Sequence, residues 1–325
     1  MSLYPTLANI HDAQRLIEPY TRRTPCVSLP AREFGLDAPH CELVFKLELL
    51  QVTGTFKARG ALSVMLQLTD AERARGVTAV SAGNHAIAVA YAARTLGISA
   101  RIVMLKSANP ARLARARSYG AEIEIAVDGP SAFRRVKEIE AEEGRVFVHP
   151  FEGPRTVAGT GTAGLEWFEQ TAQLDAVVVA VGGGGLIAGV AAAFKQLAPA
   201  TKVYGVEPEG ADSMSRSFRA RAPVTLSSVS TIADSLAPPM ATPYTFGVCH
   251  RFVDRIALIS DQAMREAMGI LSRDLKLCVE PAGAAALAAM LGPLRDELCE
   301  ATRVGIMICG SNIDLHTFCS EAIVC

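Results

Sequence analysis

Lys57 stands in the run Thr53-Gly54-Thr55-Phe56-Lys57-Ala58-Arg59-Gly60, just past a Thr/Gly turn where a helical pattern begins. An amine held at such a place can carry a Schiff base, and with its pKa lowered by burial and nearby positive charge it can also act as a base. A lone lysine is usually a solvated charge, but three further stretches stand with this one: Ser81-Ala82-Gly83-Asn84-His85, Gly182-Gly183-Gly184-Gly185 and Cys309-Gly310-Ser311-Asn312. The glycine run follows an apolar strand pattern and opens a helix pattern. Backbone amides can converge there on a phosphate with no Cβ in the way, and the helix dipole favours the anion. The 81–85 stretch also ends a strand and enters a helix, so its amides and the Ser81 and Asn84 side chains can converge on an anion or simply cap the helix.

The glycine run admits a competing use. Gly183-x-Gly185-x-x-Ala188 matches a dinucleotide fingerprint, and Glu207 lies about 20 residues on, where a ribose-binding acid would stand. A nicotinamide-dependent oxidoreductase built on it leaves Lys57, Asn84 and the C-terminal motif without employment.

The four motifs, in this order, resemble those of the tryptophan-synthase-β-like (fold type II) pyridoxal phosphate enzymes and, among them, the serine/threonine dehydratase and serine racemase family. The resemblance runs from about residue 23 to about residue 314. It implies pyridoxal 5'-phosphate as cofactor, held by Lys57, with Phe56, Asn84, Gly182, Gly183, Gly184, Gly185, Glu280 and Cys309 around it. It implies a substrate carboxylate received by Ser81, Ala82, Gly83, Asn84 and His85, with His85 shaping the loop. Lys57, released by the substrate amine, takes the Cα proton. Asn84 meets the cofactor's ring oxygen. Cys309, or in reserve Ser311, faces the pyridine nitrogen, where a neutral thiol or hydroxyl leaves that nitrogen largely unprotonated. Glu280, in Val279-Glu280-Pro281-Ala282-Gly283, matches a family position near the cofactor but could equally be a first-turn acid on a helix dipole.

Departures from the family pattern narrow the expected chemistry. Serine racemases carry serine where this chain has Ala82, on the cofactor face opposite the lysine, so elimination is expected rather than racemisation. Residues 207–213 resemble the racemases' divalent-cation loop: Glu207 and the carbonyl of Ala211 fit, but Ser213 replaces the second acid and Asp212 is one residue off. The missing acid weakens a Mg2+ or Ca2+ site, because hard cations want several carboxylate oxygens. Ser235 replaces a glycine usual in threonine dehydratases, and Ala132 and Phe133 stand where racemases carry a charged pair, which suggests a pocket for an apolar or larger side chain. The expected activity is a dehydratase (ammonia-lyase) that turns a β-hydroxy amino acid, threonine- or serine-like or bulkier as in phenylserine, into a 2-oxo acid and ammonia. A serine racemase-like isomerase, a cysteine-synthase-like replacement enzyme and a non-catalytic amino-acid sensor are the other readings.

These motifs need a scaffold, and composition allows one. With 325 residues, 50% hydrophobic and 20% charged, the chain can bury a sizeable core, divided between two lobes. A net charge of −1 supplies no basic field for nucleic acid or anionic lipid. Residues 1–16 lack a basic-then-apolar leader, so a cytoplasmic protein is expected. Eight cysteines without Cys-x-x-Cys spacing and six histidines without i, i+4 pairing read as free thiols and no zinc helix. The uncharged stretch 176–194 is long enough for a membrane span, but its four glycines break a continuous helix.

Alternating apolar runs and amphipathic stretches predict an α/β fold. Strands are expected at 44–47, 79–81, 101–105, 122–126, 146–149, 176–181, 202–206, 255–259 and 304–309. Helices are expected at 56–68, 86–96, 111–119, 132–142, 156–170, 186–196, 261–271 and 282–289. The resemblance implies two lobes, each a mainly parallel twisted sheet flanked by helices: a large cofactor-binding domain of 1–50 and 149–325 and a small mobile one of 51–148. It also implies a homodimer. The chain stops soon after the last motif, so no C-terminal regulatory domain is expected.

Overall fold

A computed structural model of the chain describes residues 4–171, 173–298 and 300–323. The strands are β1 (Cys26–Pro30), β2 (Glu42–Lys46), β3 (Val77–Ser81), β4 (Ala100–Leu105), β5 (Glu122–Ala126), β6 (Val146–Phe147), β7 (Ala176–Ala180), β8 (Lys202–Pro208), β9 (Arg255–Ile259) and β10 (Arg303–Met307). They form two sheets, one of six strands in the order β1-β2-β10-β7-β8-β9 and one of four in the order β5-β4-β3-β6. Every pairing is parallel except β1 on β2. This is the expected α/β architecture of two mainly parallel sheets flanked by helices.

The interior strands read as continuous apolar runs because helices cover both sheet faces. All five residues of β7, Ala-Val-Val-Val-Ala, are buried. One core surrounds the six-stranded sheet, and two smaller ones lie about the four-stranded sheet. The uncharged stretch 176–194 resolves into β7, the glycine loop and most of the helix Gly185–Leu197. Among the described residues no helix is long and apolar enough to cross a membrane.

Parallel strands carry their following loops at one end, and that end forms the site. β3 leads through 81–83 into the helix Asn84–Leu96, β7 leads through the glycines into Gly185–Leu197, and β10 leads to Cys309. The structure adds elements that the apolar pattern does not show. β1 is an edge strand with mixed burial that ends on a proline, so no apolar run marks it. The helix Ser213–Ala220 is too polar to show as an apolar stretch.

Candidate active site

Lys57 is the first residue of the helix Lys57–Met65. Thr55 bridges Gly310, Phe56 N–H donates to the Cys309 carbonyl at 3.3 Å, and the Thr55 hydroxyl accepts the Lys57 amide at 3.3 Å. The lysine turn is thereby stitched to the exit of β10. Lys57 Nζ donates to the Pro150 carbonyl at 2.7 Å and stands 5.1 Å from the centre of the Phe56 ring. Burial lowers its pKa to about 8, while Glu280 acts the other way. The positive neighbour expected to help is not among these causes, because the charged groups around the amine are potential anions.

Residues 182–185 and Leu186 line the same cavity as Lys57, Phe56, Asn84, Glu280 and Cys309. All the residues expected at the cofactor are thus brought together from five separate stretches of chain. Gly184 has φ +85°, a left-handed conformation that turns the chain from β7 into the helix and strains any side-chain-bearing residue. The first amides of that helix have no intrahelical acceptor.

Asn84 opens its helix and is buried. Its Nδ2 donates to Glu280 Oε1 at 2.6 Å and Ser235 Oγ at 3.1 Å, and its Oδ1 accepts from Asn312 Nδ2 at 2.8 Å. Glu280 precedes the helix Pro281–Leu291 but makes no side-chain cap to it. The simple first-turn role is therefore not what its carboxylate does, since the oxygens go to Asn84 and to Arg112 Nη2 at 3.2 Å. Of Cys309 and Ser311, only Cys309 lines this cavity. Cys309 is buried in the cavity with its thiol 3.3 Å from the Ala282 carbonyl, whereas Ser311 Oγ lies against the Leu49 carbonyl at 3.4 Å. Burial pushes the Cys309 thiol far above its ordinary range, so it is neutral.

Ser81, Ala82, Gly83, Asn84 and His85 line a second, larger cavity of about 580 Å³ that shares Lys57, Asn84, Phe151, Gly183 and Ser235 with the first. Ser81 Oγ accepts the Gly83 amide at 2.9 Å, a local cap. His85 Nε2 pairs with the Val148 carbonyl at 2.8 Å, and burial lowers its pKa to about 3, so the ring is a neutral donor that shapes the loop.

Glu207 is employed differently from both expectations. Its two oxygens accept the Met214 and Ser215 amides at 2.8 and 2.7 Å, capping the helix Ser213–Ala220, and burial raises its pKa to about 8. Asp212 pairs with Arg216 and Arg219. Among the described residues no group of three His, Cys, Asp or Glu is placed to hold a metal, and Glu207, expected with the Ala211 carbonyl to bind Mg2+ or Ca2+, has both oxygens on helix amides. The same amide pairing occupies the acid that a dinucleotide ribose would need. Arg112, Asp234, Pro150 and Phe151 reach the two cavities or Lys57 without having been singled out in the sequence, since no local motif marks them.

The residues fit pyridoxal 5'-phosphate by their chemistry. A reactive amine, a glycine-rich helix N-terminus for an anion, an amide donor and a neutral thiol face one space. The model of the family described as "Pyridoxal-phosphate dependent enzyme" matches residues 17–310. The chain belongs to this family. Among pyridoxal-phosphate dependent enzymes it is 52% identical to a phenylserine dehydratase of Ralstonia pickettii over 314 residues, 97% of this chain and 95% of the relative. It is 36% identical to a serine racemase of Schizosaccharomyces pombe, covering 97% of this chain and 96% of that one. The solved structure of maize serine racemase superposes with a TM-score of 0.91 at 35% identity, over 97% of this chain and 96% of the maize chain.

Proposed function

We propose that this pyridoxal-phosphate-dependent dehydratase acts on 3-hydroxy amino acids with an aryl group on the β-carbon, as in phenylserine, and forms a 2-oxo acid and ammonia. The cavity of about 580 Å³ beside Lys57 carries this reading. Its wall includes Val80, Leu105, Phe133, Leu226, Pro238 and Met240. A phenyl ring buries more apolar surface against that wall than a methyl group does, a difference of about 2 kcal/mol, or roughly 30-fold. Phe133 is steadied edge-on by Phe147, with ring centres 6.5 Å apart. Arg112, the guanidinium in the cavity wall, is already paired with Asp234 and Glu280, so a β-carboxylate like that of hydroxyaspartate finds no open partner there. The 52% identical phenylserine dehydratase supports the same substrate class.

In this reading residues 182–185 and the helix behind them would hold the cofactor phosphate, Lys57 would hold its aldehyde carbon, Asn84 would serve its ring oxygen and Cys309 its ring nitrogen. The bound group supplies the electron sink that acidifies the substrate's Cα–H. The amides of 81–85, at the start of the helix Asn84–Leu96, receive the substrate carboxylate. Lys57 Nζ, whose pKa burial lowers to about 8 so that a useful fraction is neutral near physiological pH, takes the Cα proton. Ala82, at the position where racemases carry serine, offers only a methyl group, so no proton is returned there to the other face and the β-hydroxyl leaves as water, which takes up one proton for the one removed from Cα. His85 stays neutral and keeps the carboxylate loop in shape. The homodimer implied by the family resemblance is checked by light scattering of the purified chain.

The substrate test is a 2-oxo-acid assay over serine, threonine, 3-hydroxyaspartate and phenylserine. The expected result is a kcat/KM for phenylserine at least about tenfold above that for threonine. Rapid threonine turnover with phenylserine inert contradicts the aryl reading. The serine racemase relatives favour a second reading, and chiral analysis separates it: D-serine from L-serine stays at background for a dehydratase and accumulates for a racemase.

A further inference from the structure

Arg112 lies on the helix Pro110–Ser118, beside the four-stranded sheet, and its guanidinium reaches the loops of the six-stranded one. Nε donates to the Asn312 carbonyl at 2.6 Å, Nη1 to Asp234 Oδ2 at 2.5 Å and Nη2 to Glu280 Oε2 at 3.2 Å. Three acceptors from three separate segments fix one planar group whose side chain is 7% exposed. The flat fork of arginine suits such an arrangement, and the single ammonium of lysine does not reproduce it.

Glu280, with 2% of its side chain exposed, holds Arg112 with one oxygen and the Asn84 amide nitrogen with the other. The other amide hydrogen of Asn84 meets Ser235 Oγ at 3.1 Å, the longer of its two donor bonds and the one a cofactor oxygen would take over, while its carbonyl oxygen accepts from the Asn312 amide. An asparagine amide has two ends that differ only in donor and acceptor character, so its orientation is set by what faces each end. A carboxylate on one side and a donor on the other leave a single orientation. Burial and the nearby Asp234 both disfavour charge on Glu280, and Arg112 is the cation that opposes them. The 81–85 loop is also shaped around this arginine: a Cβ on Gly83 would stand 2.5 Å from Arg112 Cδ.

We propose that Arg112 is a positioning residue that fixes Glu280 and, through Glu280, orients the Asn84 amide toward the cofactor. This rests on the reading of the cavity as the pyridoxal phosphate site and is independent of which hydroxy amino acid is consumed. A plain structural bolt between the two sheets is the competing role, and the same helix contains one. Asn109 Nδ2 donates to Asp314 at 2.7 Å and touches neither Glu280 nor Asn84 in the hydrogen-bond network.

The test compares wild type, Arg112→Gln, Arg112→Lys, Glu280→Gln, the Arg112→Gln/Glu280→Gln double variant and Asn109→Ser. It reads pyridoxal phosphate affinity by fluorescence titration, the visible absorbance of the bound cofactor, and melting temperature. Arg112→Gln is expected to weaken cofactor binding by about tenfold and to shift the absorbance maximum. The double variant is expected to be no weaker than Glu280→Gln alone, within about twofold, because both changes cut the same path. Arg112→Lys recovers part of the loss, and Asn109→Ser keeps the wild-type spectrum even if it melts earlier. Should Arg112→Gln fail to fold, Arg112→Lys reads the same spectrum with the charge kept and the fork lost. Unchanged affinity and spectrum in the folded Arg112 variants, or fully additive losses in the double variant, overturn the inference alone. A wild-type chain that takes up no cofactor overturns the site reading with it.

Discussion

At Lys57 two influences oppose each other: loss of water, the larger effect, lowers the pKa to about 8, and Glu280 favours the ammonium. Capture of pyridoxal phosphate by the cofactor-free chain needs the neutral amine. Its rate is therefore expected to climb as pH rises through about 8 and to level off above, where an exposed lysine would keep climbing to about 10.4. Rapid-mixing absorbance measurements across that range check this, and a flat profile contradicts it. Lys57→Ala is expected to lower turnover by a factor on the order of 10⁴ and to remove the visible absorbance of the bound cofactor. Undiminished turnover in that variant would end the lysine's assignment as base. Lys57, the glycine run and the 81–85 loop were legible because each is a local pattern at a strand-to-helix turn. Arg112 was not, since its partners Asp234, Glu280 and Asn312 lie more than 100 residues away along the chain.

The element that presents Lys57 is anchored from behind. Two residues on, Arg59 donates from Nη2 to Glu48 Oε1 at 2.7 Å and to Glu166 Oε2 at 3.0 Å, while Lys46 Nζ meets Glu166 Oε1 at 2.6 Å. These buried charges tie β2 and the helix Lys57–Met65 to the helix Pro154–Gln170. Removing one member leaves others buried without a counter-charge, so Arg59→Met is expected to destabilise the fold by about 3–5 kcal/mol. Denaturant unfolding measures this, and a loss below about 1 kcal/mol would show that the network relaxes freely. Apolar runs such as β7 announced the interior elements, and the four glycines correctly broke the uncharged stretch in two. The edge strand β1 carries no such run, and the helix Leu7–Ile17 begins at a capping box of Thr6 and Asn9 that a reading for apolar periodicity passes over. Glu207 stands at the end of β8, where ribose-binding and metal-binding patterns both place an acid, but the amides it caps come from a polar helix invisible to that periodicity.

Across the whole molecule, the loops at the C-terminal ends of the two sheets' strands face each other, and the space between them has a polar end at 81–85 and an apolar wall at Phe133 and Met240. Selectivity belongs to that shared space. Phe133→Arg is expected to lower kcat/KM for phenylserine at least about tenfold while changing threonine turnover less than about threefold. Equal losses on both substrates would indicate a general disturbance of the fold. The sequence pointed to an altered pocket through Ala132, Phe133 and Ser235; Phe133 and Ser235 line it, whereas Ala132 is buried in the small core with Val136 and Ile139, and the loop residues Leu226, Pro238 and Met240 that complete the wall carry no motif. The whole arrangement converges on one covalent attachment, and borohydride reduction of the holoenzyme followed by peptide mapping tests it most directly. The expected result is a pyridoxyl group fixed on Lys57 with activity lost; a pyridoxyl group on another lysine, or an enzyme that stays fully active after reduction, contradicts it.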